Sequence, residues 1–341
     1  MTSPDYGIQA FLWWREHIAT RDLGLIKDMG FRWVKQVFAW SDIEGAAKGH
    51  FDWSKSDKVV DHANDYGIKV LARLDRAPAW TGAVLPNGPP NNYEDFGDYC
   101  FAFAQRYRGR VHAYQIWNEP NLAREWGSKP PNPQEYVALL RVAYLRIKEA
   151  DPDAIVISAG LTPTGTWSDE AMPDTEYLEQ MYQAGFQNFC DMVGLHAAGF
   201  KAPPEISPDE VVANPDKYGN HRFFCFRHVE DMREIMERHR DSGRRVVILE
   251  FGWTLDPRPD SPFHWHAVSE QEQADYIVRA YRYATENWQP WIALMSLIYI
   301  ADEDWTEERE EYWWAITEPS YPEASLRPAY RALQGMPKVS Q

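Results

Sequence analysis

Tyr114-Gln115-Ile116-Trp117-Asn118-Glu119-Pro120-Asn121 is the stretch that decides the fold. An apolar and aromatic run that starts at Val111 ends here in an amide, a carboxylate and a proline. Pro120 has no backbone N–H and a fixed φ, so a β-strand cannot simply continue past Glu119. The pattern recurs where the β-branched run from Arg245 to Leu249 ends in Glu250. Each of these strands should deliver one glutamate at its carboxyl end, and we interpret the two as a working pair.

Short apolar runs of this kind recur along the chain, with helical stretches between them. Eight candidate strands begin near Tyr6, Trp33, Lys69, Val111, Ala154, Cys190, Arg245 and Ile292. Asn132-Pro133 followed by Glu135, and Ser269 followed by Glu272, are typical of helix N-termini. Eight βα units in 341 residues favour one closed (β/α)8 TIM barrel, spanning 1–341 as a single catalytic domain, over an open doubly wound sheet.

The connections that follow the strands are long and rich in proline and tryptophan. They cover residues 76–92, 121–132, 161–174, 201–224, 254–268 and 301–319. The connections at the opposite end are short, such as Tyr66-Gly67-Ile68. In a (β/α)8 barrel the active site lies among the loops after the strands. The elaborated face is therefore the one that carries Glu119 and Glu250.

Composition narrows the class of partner. The net charge of −16 argues against nucleic acid as a partner, because phosphate backbones require clustered Lys and Arg, and a neutral substrate fits best. No apolar stretch is long enough to span a membrane, and the N-terminus lacks the features of a signal peptide. A cytoplasmic protein is the default expectation, although a trimmed secreted precursor would look the same. Three widely spaced cysteines predict free, buried thiols. No feature of the sequence specifies an oligomeric state.

Two carboxyl groups at facing strand ends suit the cleavage of a glycosidic bond. One acts as a general acid, whose pKa is raised by burial or by a like-charged neighbour, and the other acts as a nucleophile or as a base for water. The distance between them decides whether the anomeric configuration is retained or inverted. The tips of strands 4 and 7 face each other across a barrel mouth, so Glu119 and Glu250 are the candidates.

The same motifs resemble a known group of enzymes. Trp117-Asn118-Glu119-Pro120 followed by Leu249-Glu250-Phe251-Gly252 is similar to the signature of the clan A glycoside hydrolases, which are retaining enzymes on (β/α)8 barrels. The segment from Trp33 to Trp53 and the final Arg327-Pro328-Ala329-Tyr330 resemble families 39 and 42. The resemblance implies that Glu119 is the acid/base, that Glu250 is the nucleophile, and that Asn118 binds the 2-hydroxyl of the sugar.

Two positions depart from the pattern of that group. Lys35 stands where the group usually has an arginine on strand 2, so the charge near the nucleophile is kept but the bidentate fork is lost. His196 matches a recurrent histidine after strand 6, but the tyrosine that often follows two residues later is Ala198 here. Some other donor must therefore hold Glu250, or the geometry of Glu250 differs.

Aromatic residues supply further candidates for sugar contacts, because their faces stack on the C–H faces of sugars. The chain has 16 tryptophans. The candidates at strand ends or in the long loops are Trp40, Trp80, Trp126, Trp167, Trp253 and Trp265, and each is equally suited to the core. Trp253 is the best placed of them, and the aromatic residue commonly found after strand 8 is either Tyr299 or Trp305. His264-Trp265-His266 offers two imidazoles without a third ligand, so neither a metal site nor a cofactor is predicted.

The sequence therefore predicts a retaining β-glycosidase that acts on a neutral oligo- or polysaccharide by double displacement. Two alternatives stay open: a non-catalytic carbohydrate-binding barrel, and a transglycosylase with the same glutamate pair. The sequence does not specify which sugar and which linkage are cleaved. It also does not specify whether the saccharide chain is cleaved internally or at its end.

Overall fold

The computed structural model describes residues 1, 3–13 and 15–339, and a closed barrel of eight parallel strands lies at its centre. The strands are β1 Asp5–Gln9, β2 Trp33–Ala39, β3 Lys69–Asp75, β4 Val111–Ile116, β5 Ile155–Ile157, β6 Met192–Ala198, β7 Arg245–Gly252 and β8 Ile292–Leu297. They pair in chain order, and β1 pairs with both β2 and β8. The prediction of a closed (β/α)8 barrel, rather than an open sheet, is confirmed.

Helices connect the strands and cover the outside of the barrel. They are α1 Glu16–Asp28, α2 Trp40–Ile43, α3 Ser54–Asp65, α4 Tyr93–Arg106, α5 Pro133–Ala150, α6 Asp174–Gln183, α7 Pro208–Ala213, α8 Pro215–Tyr218, α9 His228–Arg238, α10 Glu270–Asn287, α11 Glu310–Trp314 and α12 Pro328–Gly335. After β8, α11 leads into an antiparallel pair of short strands, β9 Thr317–Glu318 and β10 Ser325–Leu326.

Both predicted N-caps are present. The Asn132 side chain accepts a hydrogen bond from the backbone N–H of Glu135 at the start of α5. Ser269 and Glu272 form a reciprocal capping box at the start of α10. A cap of this kind stabilises a helix by about 1 kcal/mol, so these local signals define where the two helices begin.

The two faces of each strand pack in different layers, because side chains alternate along a strand. Outward residues pack against the helices, whereas Trp33, Leu71, Ala113 and Leu249 belong to a separate apolar cluster inside the barrel. Two residues further along β2, β3 and β4, the corresponding positions are Lys35, Arg73 and Gln115. The barrel interior therefore changes from apolar to polar towards the carboxyl ends of the strands.

The end of β4 differs from the sequence prediction. The strand stops at Ile116 rather than near Glu119. Trp117 and Glu119 have φ values of 67° and 41°, a left-handed conformation that interrupts strand pairing before Pro120 is reached. Such a conformation costs on the order of 1–3 kcal/mol for a residue other than glycine. The Glu119 N–H is nevertheless satisfied, because it donates to the Gly160 carbonyl at 3.0 Å.

The three cysteines, Cys100, Cys190 and Cys225, are free and buried, as predicted. Among the described residues, no helix has both the length and the apolar character that crossing a membrane requires.

Candidate active site

A cavity of about 560 Å³ opens at the carboxyl ends of the strands, and both predicted glutamates line it. Glu119 reaches it from the loop after β4, and Glu250 from within β7. Their side chains are 16% and 14% exposed. Two carboxylates from distant parts of the sequence thus share one partly enclosed space.

His196 links the two carboxylates. Its Nδ1 lies 2.9 Å from Glu119 Oε1 and 3.7 Å from Glu250 Oε2. One ligand atom from each of Glu119, His196 and Glu250 lies within 4.8 Å of the others. The nearest carboxylate oxygens of the pair are therefore close enough to contact the same sugar ring.

Lys35, on β2, forms an ion pair with Glu250 inside the barrel. Its Nζ lies 2.6 Å from Glu250 Oε1 and donates a second hydrogen bond to the Leu249 carbonyl at 3.2 Å. The lysine is 1% exposed and does not line the cavity, so it contacts the candidate nucleophile rather than a substrate. Lys35 is therefore the donor that holds Glu250 in place of the tyrosine that is replaced by Ala198 in this chain.

The environment of Glu250 strongly favours its ionised form. Burial alone would raise the pKa of this carboxyl, but Lys35, followed by His196 and Arg73, outweighs burial and lowers the pKa to about 2. Arg73 is itself buried inside the barrel and pairs with Asp75 at 2.6 Å. An ionised carboxylate is what a nucleophile requires.

Glu119 behaves differently from the expectation for a general acid. Burial raises its pKa, and so does the negative charge of Glu250. The hydrogen bond and the charge of His196 act in the opposite direction and leave the pKa of Glu119 below its ordinary value. The close contact of His196 Nδ1 with Glu119 Oε1 therefore favours the ionised form of Glu119 in the unliganded site.

Asn118 lines the cavity with one end of its amide already engaged. The Gln115 Nε2 donates to Asn118 Oδ1 at 3.2 Å and to the Trp117 carbonyl at 2.9 Å. Because Oδ1 is engaged from inside the barrel, the Nδ2 donor is the group left for a ligand. This arrangement suits the predicted contact with a sugar hydroxyl.

The neighbouring loop locks this geometry. Asn121 is fully buried and exchanges hydrogen bonds with the backbone of Thr162, at 2.9 and 3.0 Å. A Cβ at Gly160 would lie 2.1 Å from the His196 ring, so only glycine allows the imidazole to take this position. The loop after β5 thereby fixes both the Glu119 backbone and its histidine partner.

The aromatic predictions divide into two groups. Tyr299 and Trp305 both line the cavity, with ring centroids 5.3 Å apart. Trp40, Trp80 and Trp253 do not line it, and this corrects their assignment as sugar contacts.

The indole N–H groups of these three tryptophans are used inside the protein. Trp40 Nε1 donates to Glu44 Oε2, Trp80 Nε1 to the Glu44 carbonyl, and Trp253 Nε1 to the Ala202 carbonyl. Trp40 and Trp253 are completely buried and pack between helices and strands. Their position in the sequence near strand ends did not reveal which way the side chains point.

Several cavity residues escaped the sequence prediction. They are Gln9, Phe11, Arg73, Thr162, Phe200, Phe263, Glu310 and Trp314, together with His266, which had been considered only as a metal ligand. Gln9 and Arg73 lie at or near strand ends, which is the signal that could have identified them. Glu310 and Trp314 lie on the short helix α11 and the others lie on loops, and the placement of all these segments depends on tertiary contacts.

The Glu119, His196 and Glu250 atoms also have a spacing that a metal ion could use. The Lys35 ammonium already occupies Glu250 Oε1, and a cation at this place would be repelled by it. The donor set therefore does not favour a metal ion.

Comparison with known proteins agrees with this architecture. The glycoside hydrolase family 42 model, described as β-galactosidase, matches residues 10–96, which include Lys35 but neither glutamate. No curated protein sequence matches the chain significantly. The sequence similarity to a family model is thus limited to the first part of the barrel.

Solved structures match along nearly the whole chain. A family 39 glycoside hydrolase from Bacteroides cellulosilyticus matches with a TM-score of 0.69 and 19% identity, covering 97% of this chain and 63% of that one. The β-glycosidase BGL167 matches with a TM-score of 0.64 and 15% identity, and the match covers 100% of this chain and 99% of that one. Xylanase 10B from Thermotoga petrophila, solved with xylobiose, matches with a TM-score of 0.62 and 14% identity, and the match covers 98% of this chain and 94% of that one.

Because these sequence identities are low, the structural matches establish the fold alone. The chain spans less than two thirds of the length of the family 39 enzyme. Within these limits, the resemblance to clan A glycoside hydrolases that the two glutamate motifs predicted is confirmed.

Proposed function

We propose that this protein is a retaining β-glycosidase that hydrolyses a neutral oligo- or polysaccharide. The observation that carries the proposal is the convergence of Glu119 and Glu250 in one cavity, with ligand atoms within 4.8 Å of each other. Retaining enzymes keep their carboxyl groups about 5–5.5 Å apart, whereas inverting enzymes need about 6.5–9.5 Å to admit a water molecule. The short separation therefore favours retention.

In the first step, Glu250 attacks the anomeric carbon and the bond to the leaving oxygen breaks. Its low pKa keeps the carboxylate ionised for this attack. Glu119, in its protonated form, passes a proton to the leaving oxygen as that bond breaks. Exclusion of water by the bound sugar adds to the burial of Glu119 and so raises the pKa of this carboxyl towards the protonated form that a general acid needs.

In the second step, Glu119 removes a proton from a water molecule, which attacks the same carbon and displaces Glu250. Two inversions restore the original configuration. Asn118 Nδ2 donates to the sugar, and such a contact strengthens as positive charge develops at the ring in the transition state. Lys35 stays on Glu250 and stabilises the carboxylate when it leaves the sugar.

The assignment of roles is tested with aryl β-glycosides and two variants. We expect Glu250→Gln to abolish turnover while saccharide binding persists. Glu119→Ala should lower kcat/KM by about 10²- to 10⁴-fold for leaving groups that need a proton. A dinitrophenyl leaving group needs none, so this variant should then accumulate the glycosyl enzyme, and added azide should release it as a β-glycosyl azide. Full activity of Glu250→Gln would end the assignment.

The two rival functions give different outcomes in the same assays. A carbohydrate-binding barrel would bind oligosaccharides without cleaving any in a panel of glycosides and β-glucans. A transglycosylase would yield mainly elongated products when acceptor sugars are added. NMR of the first product should show the β-anomer, and initial release of the α-anomer would contradict retention.

A further inference from the structure

His266 is buried in the cavity wall. It follows β7 in the loop that the sequence marks as His264-Trp265-His266, and it is 3% exposed. Within the described part of the chain, neither of its ring nitrogens bonds to another residue. Nδ1 is completely enclosed, so Nε2, which is not, is the nitrogen that a ligand can reach. Buried polar groups are almost always paired, so an unpaired imidazole that lines a cavity points to a ligand.

Aromatic rings surround this histidine. Its ring centroid lies 5.1 Å from Phe200, 6.1 Å from Phe263 and 6.0 Å from Trp314. All three neighbours line the same cavity. Apolar ring faces combined with an imidazole nitrogen open to the cavity are the combination that a sugar ring requires, since its C–H faces stack and its hydroxyls form hydrogen bonds.

These residues form one side of the cavity. Phe200 follows β6, Phe263 and His266 follow β7, and Trp314 follows β8. Arg76 and Arg124, which follow β3 and β4, line the opposite side. The cavity of about 560 Å³ is in the range that holds drug-sized molecules, so it has room for more than the one ring that Glu119 and Glu250 contact.

Burial lowers the pKa of His266 to about 4, so the imidazole is neutral at ordinary pH. A nitrogen of a neutral imidazole either donates or accepts, so Nε2 can pair with a sugar hydroxyl, which is itself both donor and acceptor. A cationic imidazole would offer donors only.

We propose that His266, with Phe200, Phe263 and Trp314, forms a second saccharide subsite that binds a neutral sugar ring next to the one that is cleaved. The inference rests on the proposed function, because it extends the same cavity. It makes His266 a specificity residue that favours chains of two or more rings over single sugars.

The test measures binding to the Glu250→Gln protein by titration calorimetry. The probes are glucose, xylose and mannose, and the corresponding β-1,4-linked trisaccharides. His266→Phe keeps the ring volume and the aromatic packing but removes both nitrogens. For the trisaccharide that binds, we expect this change to raise Kd about 3- to 10-fold, the effect of losing one net hydrogen bond, and to leave the monosaccharide Kd unchanged.

Two further variants separate binding from folding. His264→Phe is the matched control, because His264 is an exposed neighbour that bonds to the Asp256 carbonyl and does not line the cavity. His266→Asn keeps a donor and an acceptor, and we expect it to restore part of the trisaccharide affinity. In the wild-type background, His266→Phe should raise KM for an aryl disaccharide glycoside more than it lowers kcat.

The outcomes distinguish the two proposals. Equal trisaccharide affinity in His266→Phe and the parent protein overturns the subsite, even if wild-type protein hydrolyses glycosides. Trisaccharide binding that depends on His266 supports the subsite, even if no hydrolysis is found and the proposed function falls. Absence of both binding and hydrolysis overturns both.

Discussion

Replacing Lys35 by methionine removes the cation that holds the candidate nucleophile. The change keeps most of the side-chain length and deletes one charge that lies 2.6 Å from Glu250 Oε1. We expect the Glu250 pKa to rise from about 2 to above its ordinary value, because burial is its largest single influence and would then meet weaker opposition.

The magnitudes decide the direction of this shift. The ordinary pKa of Glu250 is 4.5, and a fall to about 2 corresponds to a net preference for the ionised form of about 3 kcal/mol. Two unit charges 2.6 Å apart attract by roughly 6 kcal/mol at an effective dielectric constant of about 20. The gross attraction to Lys35 exceeds the net preference, so its loss is sufficient to reverse the shift.

The assay is the pH profile of kcat/KM on an aryl β-glycoside. In the wild type, the acidic limb set by Glu250 should lie near its pKa of about 2. In Lys35→Met it should move up by at least about two pH units, with low activity at pH about 5. Lys35→Arg should keep the wild-type limb, because the charge is retained. Lys69→Met, at the opposite end of the barrel, is the matched control.

Stability should change its dependence on pH in the same variant. The Glu250 pKa is depressed in the folded wild-type protein, so its contribution is present above about pH 4.5 and is lost as the pH falls towards 2. In Lys35→Met the folded pKa is raised, so stability should instead fall as the pH rises from about 4.5, by at most about 3 kcal/mol up to pH about 7. At neutral pH the variant should be about 3–5 kcal/mol less stable than the wild type, because a buried carboxylate has lost its partner. An unmoved acidic limb together with unchanged stability at neutral pH would refute the reasoning.

Two other substitutions test the surroundings of the pair. Gly160→Ala places a Cβ 2.1 Å from the present position of the His196 ring, so the imidazole that contacts Glu119 must move. We expect kcat, measured at a fixed pH, to fall at least about tenfold. Wild-type activity in this variant would contradict the packing argument. Burial raises the pKa of Glu310 to about 7, so its ionisation in the folded state is disfavoured and wild-type stability falls as the pH rises from about 4.5 to 7. Glu310→Gln should therefore stabilise the protein by about 1–2 kcal/mol at pH about 8 but not at pH about 4.5 in denaturant titrations, and an equal effect at both values would exclude this cause.

Much of the barrel follows from local signals in the sequence. Each strand is a short apolar run, and each of two helices begins at a cap whose partner lies three residues away. Such signals act between residues that are close in the chain, so they can be read without knowing the fold. The motifs around Glu119 and Glu250 are local in the same sense, and they identified the pair before any distance was known.

Side-chain direction and loop paths required the tertiary structure. Trp253 stands three residues from Glu250, yet its indole N–H turns to the Ala202 carbonyl and away from the cavity. His266, in a loop with no regular pattern, lines the cavity because distant aromatic residues pack around it. The sequence alone determined which residues form strands and which carboxylates end beside the barrel mouth. Only the tertiary structure decided which aromatic and polar side chains share that mouth, because their placement depends on contacts between segments far apart in the chain.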